Sequence, residues 1–218
     1  MTTRKTQNSI IALATLGVYL GLLLAGATPQ VLAQAKPVAE VSINKKPLVD
    51  FADDVARKSN SKEVDLNEPF SIEYEAFFDN KGRLDLKRSR IVRSDGDPKL
   101  VEVARRGIEA VGDSGWFQYV RDLGVEKVTI IASQDNENVS LSIQSEAKTK
   151  ERARTIVAGL NTMVRIGAEQ AKNSNDRLLL QNTKATSNES IFTISLVVPY
   201  PKFQEMILSR VNRSSANE

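Results

Sequence analysis

A chain with no His and no Cys has few chemistries open to it, and any reaction must fall to its acidic, basic, amide and hydroxyl side chains. The absence removes thiol nucleophiles, disulfides, zinc centres and every dyad or triad that needs imidazole. Glu73 and Glu75 are the first pair to weigh. On an extended strand they share one face about 7 Å apart, a spacing at which paired carboxylates can hydrolyse glycosides. No pocket chemistry surrounds them, so they read as a solvated strand face that pairs with Lys87 on the neighbouring strand. Asp95 and Asp97 supply fewer carboxylates than a calcium loop needs. A turn accounts for Asp95, and a helix N-cap ahead of Pro98 accounts for Asp97. Lys87, Arg88, Arg90 and Arg93, with Arg105 and Arg106, suggest a surface for polyanions or lipid headgroups. Glu73, Glu75, Glu102 and Glu109 dilute it to a mixed surface. No GxGxxG and no P-loop Lys occurs. The expectation is no catalytic residue, no metal, no cofactor and no enzyme.

The elements that would position these residues follow from hydrophobic period. Pro47 to Lys58 carries apolar residues at helical spacing. Phe70 to Phe78 alternates as a half-buried strand, with Phe70, Ile72, Tyr74, Ala76 and Phe78 on the apolar face. A turn over Asp79–Gly82 returns it as a second strand, Arg83 to Arg93, carrying Leu84, Leu86, Ile91 and Val92. Ser94 to Pro98 is a loop, and a helix follows with Leu100, Val103, Ala104, Gly107, Ile108 and Val111 on one stripe. Gly107 on that stripe predicts close approach to the sheet. Trp116 and Phe117 read as core. Val125 to Ala132 and Val139 to Ser145 are two further strands. Lys148 to Ala171 is a long helix, and Leu178–Leu180 is a helical turn. Lys184 to Thr186 and Ser190 to Val198 form a last hairpin, and Pro201 opens a helix striped by Phe203, Met206, Ile207 and Val211. Helices that return to antiparallel pairs predict an α+β fold, antiparallel hairpins with helices packed on one face. Two small units are expected, 47–132 and 133–212, after a linker at 36–46 and before a polar tail at 213–218.

The N-terminus carries an export pattern. Arg4 and Lys5 precede an uncharged, mostly apolar run from Ile10 to Ala27, and Ala33 and Ala35 occupy the positions that a signal peptidase reads. The segment 1–35 is therefore a signal peptide cleaved after Ala35, or an N-terminal anchor, since 18 apolar residues just suffice to span a bilayer. Both place the remainder outside the cytoplasm, in the periplasm or beyond. Membrane contact is confined to residues 10–27 if they are uncleaved. Without residues 1–35 the chain has 28 Lys+Arg against 27 Asp+Glu, so the formal +3 is largely an address label. With 6% aromatic residues and one Trp, stacking platforms are scarce and nucleic acid is not an expected partner.

The middle of the chain resembles a known family. Phe70 to Leu84, Arg90 to Leu100 and the helix to Ala110 are similar to the C-terminal domain of TonB-type energy transducers. That domain has a strand, a D-x-x-G turn, a second strand ending in a V-x-x-S-x-G-like loop, and a helix. Asp79-Asn80-Lys81-Gly82 and Ile91-Val92-Arg93-Ser94-Asp95-Gly96 fit those parts. The chain has no His to couple to a proton-driven motor and no long Pro-rich spacer. The resemblance thus implies a domain shape and an envelope location, not energy transduction. It further implies a protein partner taken by strand addition to a strand after the helix, within Val125 to Ala132 or Val139 to Ser145. Val139, Ser140, Leu141 and Ser142 are the partner-binding residues so expected. The resulting reading is a non-enzymatic, exported bacterial envelope protein that binds a protein partner. The alternative is a binding module for a small apolar or lipid ligand between the long helix and a sheet.

Overall fold

A computed structural model of the chain describes residues 44, 46–79, 81–122, 124–172, 174–203 and 205. The expected signal residues Ala33 and Ala35, the apolar run 10–27 and the tail 213–218 lie outside the described residues, as do Met206, Ile207 and Val211. The fold is α+β. Helix α1 (Lys46–Asn60) precedes the strand pair β1 (Phe70–Phe77) and β2 (Arg90–Gly96). Helices α2 (Pro98–Asp113) and α3 (Phe117–Asp122) lead to β3 (Lys127–Gln134) and β4 (Asn138–Glu146). Helices α4 (Lys150–Gln170) and α5 (Ser174–Gln181) lead to β5 (Thr183–Asn188) and β6 (Ile191–Pro199). The six strands form one sheet in the order β2-β1-β3-β4-β6-β5, and every neighbouring pair is antiparallel.

Register explains why the sheet has one dry face. Tyr74 lies opposite Ile130, Ile130 opposite Ile143, Ile143 opposite Ile194 and Ile194 opposite Ala185. This row crosses five strands, and all of its members are buried. One residue along, Glu75, Thr129, Gln144, Thr193 and Thr186 make the corresponding row of the other face. Period-two alternation held in register across five strands yields an apolar face and a polar one.

The helices bury their stripes against the apolar face. Asp97 caps α2 by accepting from the Lys99 and Leu100 N–H groups, and Pro98 opens it. Thr149 caps α4 by accepting from Arg152 N–H. Leu100 and Ala104 of α2 and Ala153, Ile156 and Leu160 of α4 join one apolar cluster with Ile72, Ile130 and Phe192. That cluster draws on both of the expected units. A smaller cluster joins Val139, Leu179, Leu196, Val198 and Phe203. Trp116 and Phe117 are buried, and Phe117 stacks on Phe78 with ring centroids 4.5 Å apart.

Three expectations need correction. The second strand starts at Arg90, because residues after the Asp79–Gly82 turn wind through another turn first. The Asp85 carboxylate accepts from Lys87 N–H, and the Asp85 carbonyl from the N–H groups of Arg88 and Ser89. Leu86, in that turn, and Ile91 and Val92, on the strand, are exposed. Ser94 to Gly96 continue the strand opposite Ile72 to Phe70 instead of forming a loop. Gly107 makes its close approach to a helix and not to the sheet: a Cβ there would stand 3.1 Å from the Phe51 ring of α1.

Candidate functional site: the two edges of the sheet

The carboxylates singled out by spacing are occupied by cations. Glu75 pairs with Arg90 at 3.0 Å and with Lys127 at 3.1 Å. The hydrogen bond from Lys127 and the nearby Arg90 charge hold its carboxyl below the usual glutamate value, against the opposing effect of desolvation. Glu73 faces Arg93 at 3.9 Å. The partners thus come from β2 and β3, and Lys87 is not among them. Asp97 is committed to its helix cap. Among the described residues no group of three or more Asp or Glu converges as metal ligands would. The basic residues of α2 are likewise paired, Arg105 with Glu102 at 2.5 Å and with Glu109, and Arg106 with Asp54 of α1 at 2.5 Å. The expected basic surface reduces to the one around β2.

The residues expected to receive a partner strand sit in the middle of the sheet. Val139 lies between Gln134 and Val198, Ser140 between Ser133 and Val197, Leu141 between Ala132 and Leu196, and Ser142 between Ile131 and Ser195. Their strand is paired on both sides, so its backbone cannot accept another. β3 is equally enclosed, between β1 and β4. The two edges are β2 and β5, and they differ.

On the β5 edge a side chain takes a strand's place at Ala185. The Asn161 Nδ2 of α4 donates to the Ala185 carbonyl at 2.9 Å, and the Ala185 N–H donates to Asn161 Oδ1 at 2.9 Å. One amide thereby supplies the donor and acceptor that a neighbouring strand would offer. Sequence reasoning passed over Asn161, since a polar residue beside the Leu160 stripe of an amphipathic helix looks like solvated surface. Its only signal was position, at the border of that stripe.

Among the described residues the β2 edge is open. All seven residues are exposed, and among the described residues the strand pairs with β1 alone. A bulge interrupts the ladder: Glu73 lies opposite Arg93 and Tyr74 opposite Ile91, which leaves Val92 as the extra residue. Val92 is 51% exposed, and Leu86, in the preceding turn, is 60% exposed. Arg88 lies over the Phe77 ring at 4.5 Å, and the Phe77 N–H donates to Ser89 Oγ at 3.0 Å, which fixes the start of the strand.

A separate apolar cleft of about 60 Å³ lies where α2 crosses the centre of the sheet, lined by Ala104, Ile108, Trp116, Ile130, Leu141 and Ile143 among others. The Trp116 indole N–H is buried and has no hydrogen-bond acceptor among the described residues.

Searches of protein-family models, of curated proteins and of solved structures find no match to this chain.

Proposed function

We propose that this is an exported, non-enzymatic protein of the bacterial envelope that binds a protein partner by adding the partner's strand at β2. The observation that carries the reading is the contrast between the edges. Asn161 seals β5, whereas β2 presents an exposed seven-residue strand with Ile91 and Val92 on it. The TonB-like stretch supports a partner-binding role, because the residues of that resemblance form β1, β2 and α2. The signal-like pattern of residues 1–35 supports export. The pairing of Glu73 and Glu75 with arginines supports a structural role for the carboxylates that a hydrolase would need.

The ligand alternative has the apolar cleft in its favour, but the scale is wrong for a lipid. The cleft of about 60 Å³ is well short of the roughly 150 Å³ in which a dry cavity takes up benzene.

Site-specific photo-crosslinking tests the proposal. A benzophenone side chain is placed at Val92, at Thr186 on the other edge, or at Thr193 on the polar face, and each protein is irradiated in envelope extract of its host. A crosslinked protein partner from Val92 alone is expected. Crosslinks from Thr186 or Thr193 alone, or from none of the three, overturn strand addition at β2.

A further inference from the structure

The bulge decides which charges face an incoming strand. Arg90 and Arg93 are three residues apart, and in a regular strand they would point to opposite faces. The extra residue Val92 restores the phase, so that Arg93 lies opposite Glu73 and Arg90 opposite Glu75, both on the polar face. Along that face the sign of charge alternates from strand to strand: Lys127 on β3, Glu75 on β1, Arg90 on β2, joined at 3.1 and 3.0 Å. The alternation stops at the edge on a cation. The Arg90 side chain is 73% exposed and the Arg93 side chain 82% exposed, and the Arg93 contact with Glu73 is long at 3.9 Å. Both guanidiniums retain donors for another carboxylate.

We infer that the strand taken by β2 is acidic: an extended protein segment with Asp or Glu at the positions flanking Arg90 and Arg93, and with apolar residues on the alternate face beside Ile91. The inference rests on strand addition at β2 and adds the chemistry of the partner. Cross-strand pairs of opposite charge stabilise a sheet, and like charges side by side destabilise it. The same arginines, with the bulge, bar neutral and basic strands from pairing indiscriminately. Asp95, two residues beyond Arg93 and on the same face, places a neutral or basic residue at the corresponding end of the partner.

The test uses three labelled peptides on the purified protein: Thr-Glu-Val-Glu-Val-Gln-Thr, its Gln-for-Glu version and its Lys-for-Glu version. Affinity is read by fluorescence anisotropy at low and high salt, and location by amide hydrogen exchange. The acidic peptide is expected to bind about three- to tenfold tighter than the Gln peptide, the scale that two exposed charge pairs supply. High salt should close that gap. Protection should appear at residues 90–96. Arg93→Glu, with its fold checked by circular dichroism because the new carboxylate lies opposite Glu73, leaves one cation and one anion on that face and should erase the preference for the acidic peptide. Equal binding of all three peptides with protection at 90–96, or an order unmoved by Arg93→Glu, overturns the acidic partner and leaves strand addition standing. No binding by any peptide, or protection elsewhere, overturns both.

Discussion

At the scale of single residues, the junction between β2 and α2 depends on one glycine. Gly96 has φ +88°, and a Cβ there would stand 2.2 Å from the Pro69 carbonyl oxygen and 2.7 Å from the Phe70 Cα. Both obstacles are backbone, so no side chain can swing aside. Gly96→Ala should destabilise the protein by about 1–3 kcal/mol or more. Urea unfolding measures it, and an unchanged midpoint would show that the turn can relax. Glu75 sets a second expectation, this one on pH. Its pKa is lowered from the ordinary 4.5, first by the Lys127 hydrogen bond and then by Arg90, so the folded state gives up the proton more readily than the unfolded chain. The resulting stability is fully present above the ordinary value and is lost as pH falls through the lowered one. Glu75→Gln should lower the melting temperature at about pH 7 and should do so less at about pH 3. A deficit that grows in acid would contradict the assigned direction.

At the scale of elements, each edge of the sheet carries its own prediction. Asn161→Ala removes two hydrogen bonds from the Ala185 backbone and should cost about 1–3 kcal/mol. It also bares more of a second edge, so sedimentation should reveal more self-association than the parent protein shows. A monomeric variant of unchanged stability would show that the amide does not seal β5. Ser142→Pro removes a ladder donor from a strand paired on both sides and should abolish folding, read as loss of the far-ultraviolet circular dichroism signal. Retained folding would show that β4 tolerates the loss of a pairing. These elements also show what could be read from the chain alone. The alternation of Phe70 to Phe78, the Asp97-Pro98 helix start and the Phe192, Ile194, Leu196 and Val198 face all follow from local period and capping. The order of strands does not, because hydrophobic alternation records which face is buried and is silent on which strand lies alongside. That is why strands β3 and β4 were expected to offer a free edge and lie at the centre instead. The exposure of Leu86, Ile91 and Val92 was hidden for a related reason. Apolar residues in sequence predict burial, but the Asp85 turn takes Leu86 out of the strand, the bulge leaves Val92 without an opposite residue, and Ile91, opposite buried Tyr74, is exposed because its strand lies at the edge.

At the scale of the whole molecule, two similar strand-and-helix halves share one sheet and one principal core. Tyr74 and Phe70 from the first half and Phe192 and Ile194 from the second belong to the same buried cluster. The central pairing of β3 with β4 runs from Thr129 opposite Gln144 to Gln134 opposite Val139. Unfolding is therefore expected as one cooperative transition. Trp116 is the sole tryptophan and lies in the first half, so its fluorescence reports that half, while circular dichroism reports the whole. The two curves should coincide in denaturant, and separate midpoints would show that the halves melt independently.

The Asn161 seal also sets a valence. A sheet with two open ends can be extended repeatedly, each newcomer offering an end to the next, and the product is a fibre. If the Asn161 bonds to Ala185 keep a strand off β5, as the Asn161→Ala variant tests, this sheet grows in one direction only. A partner segment that occupies β2 completes it at a stoichiometry of one. Even a second copy of the chain, joined β2 to β2 about a two-fold axis, would use both open ends at once and leave a finite pair with no site for a third.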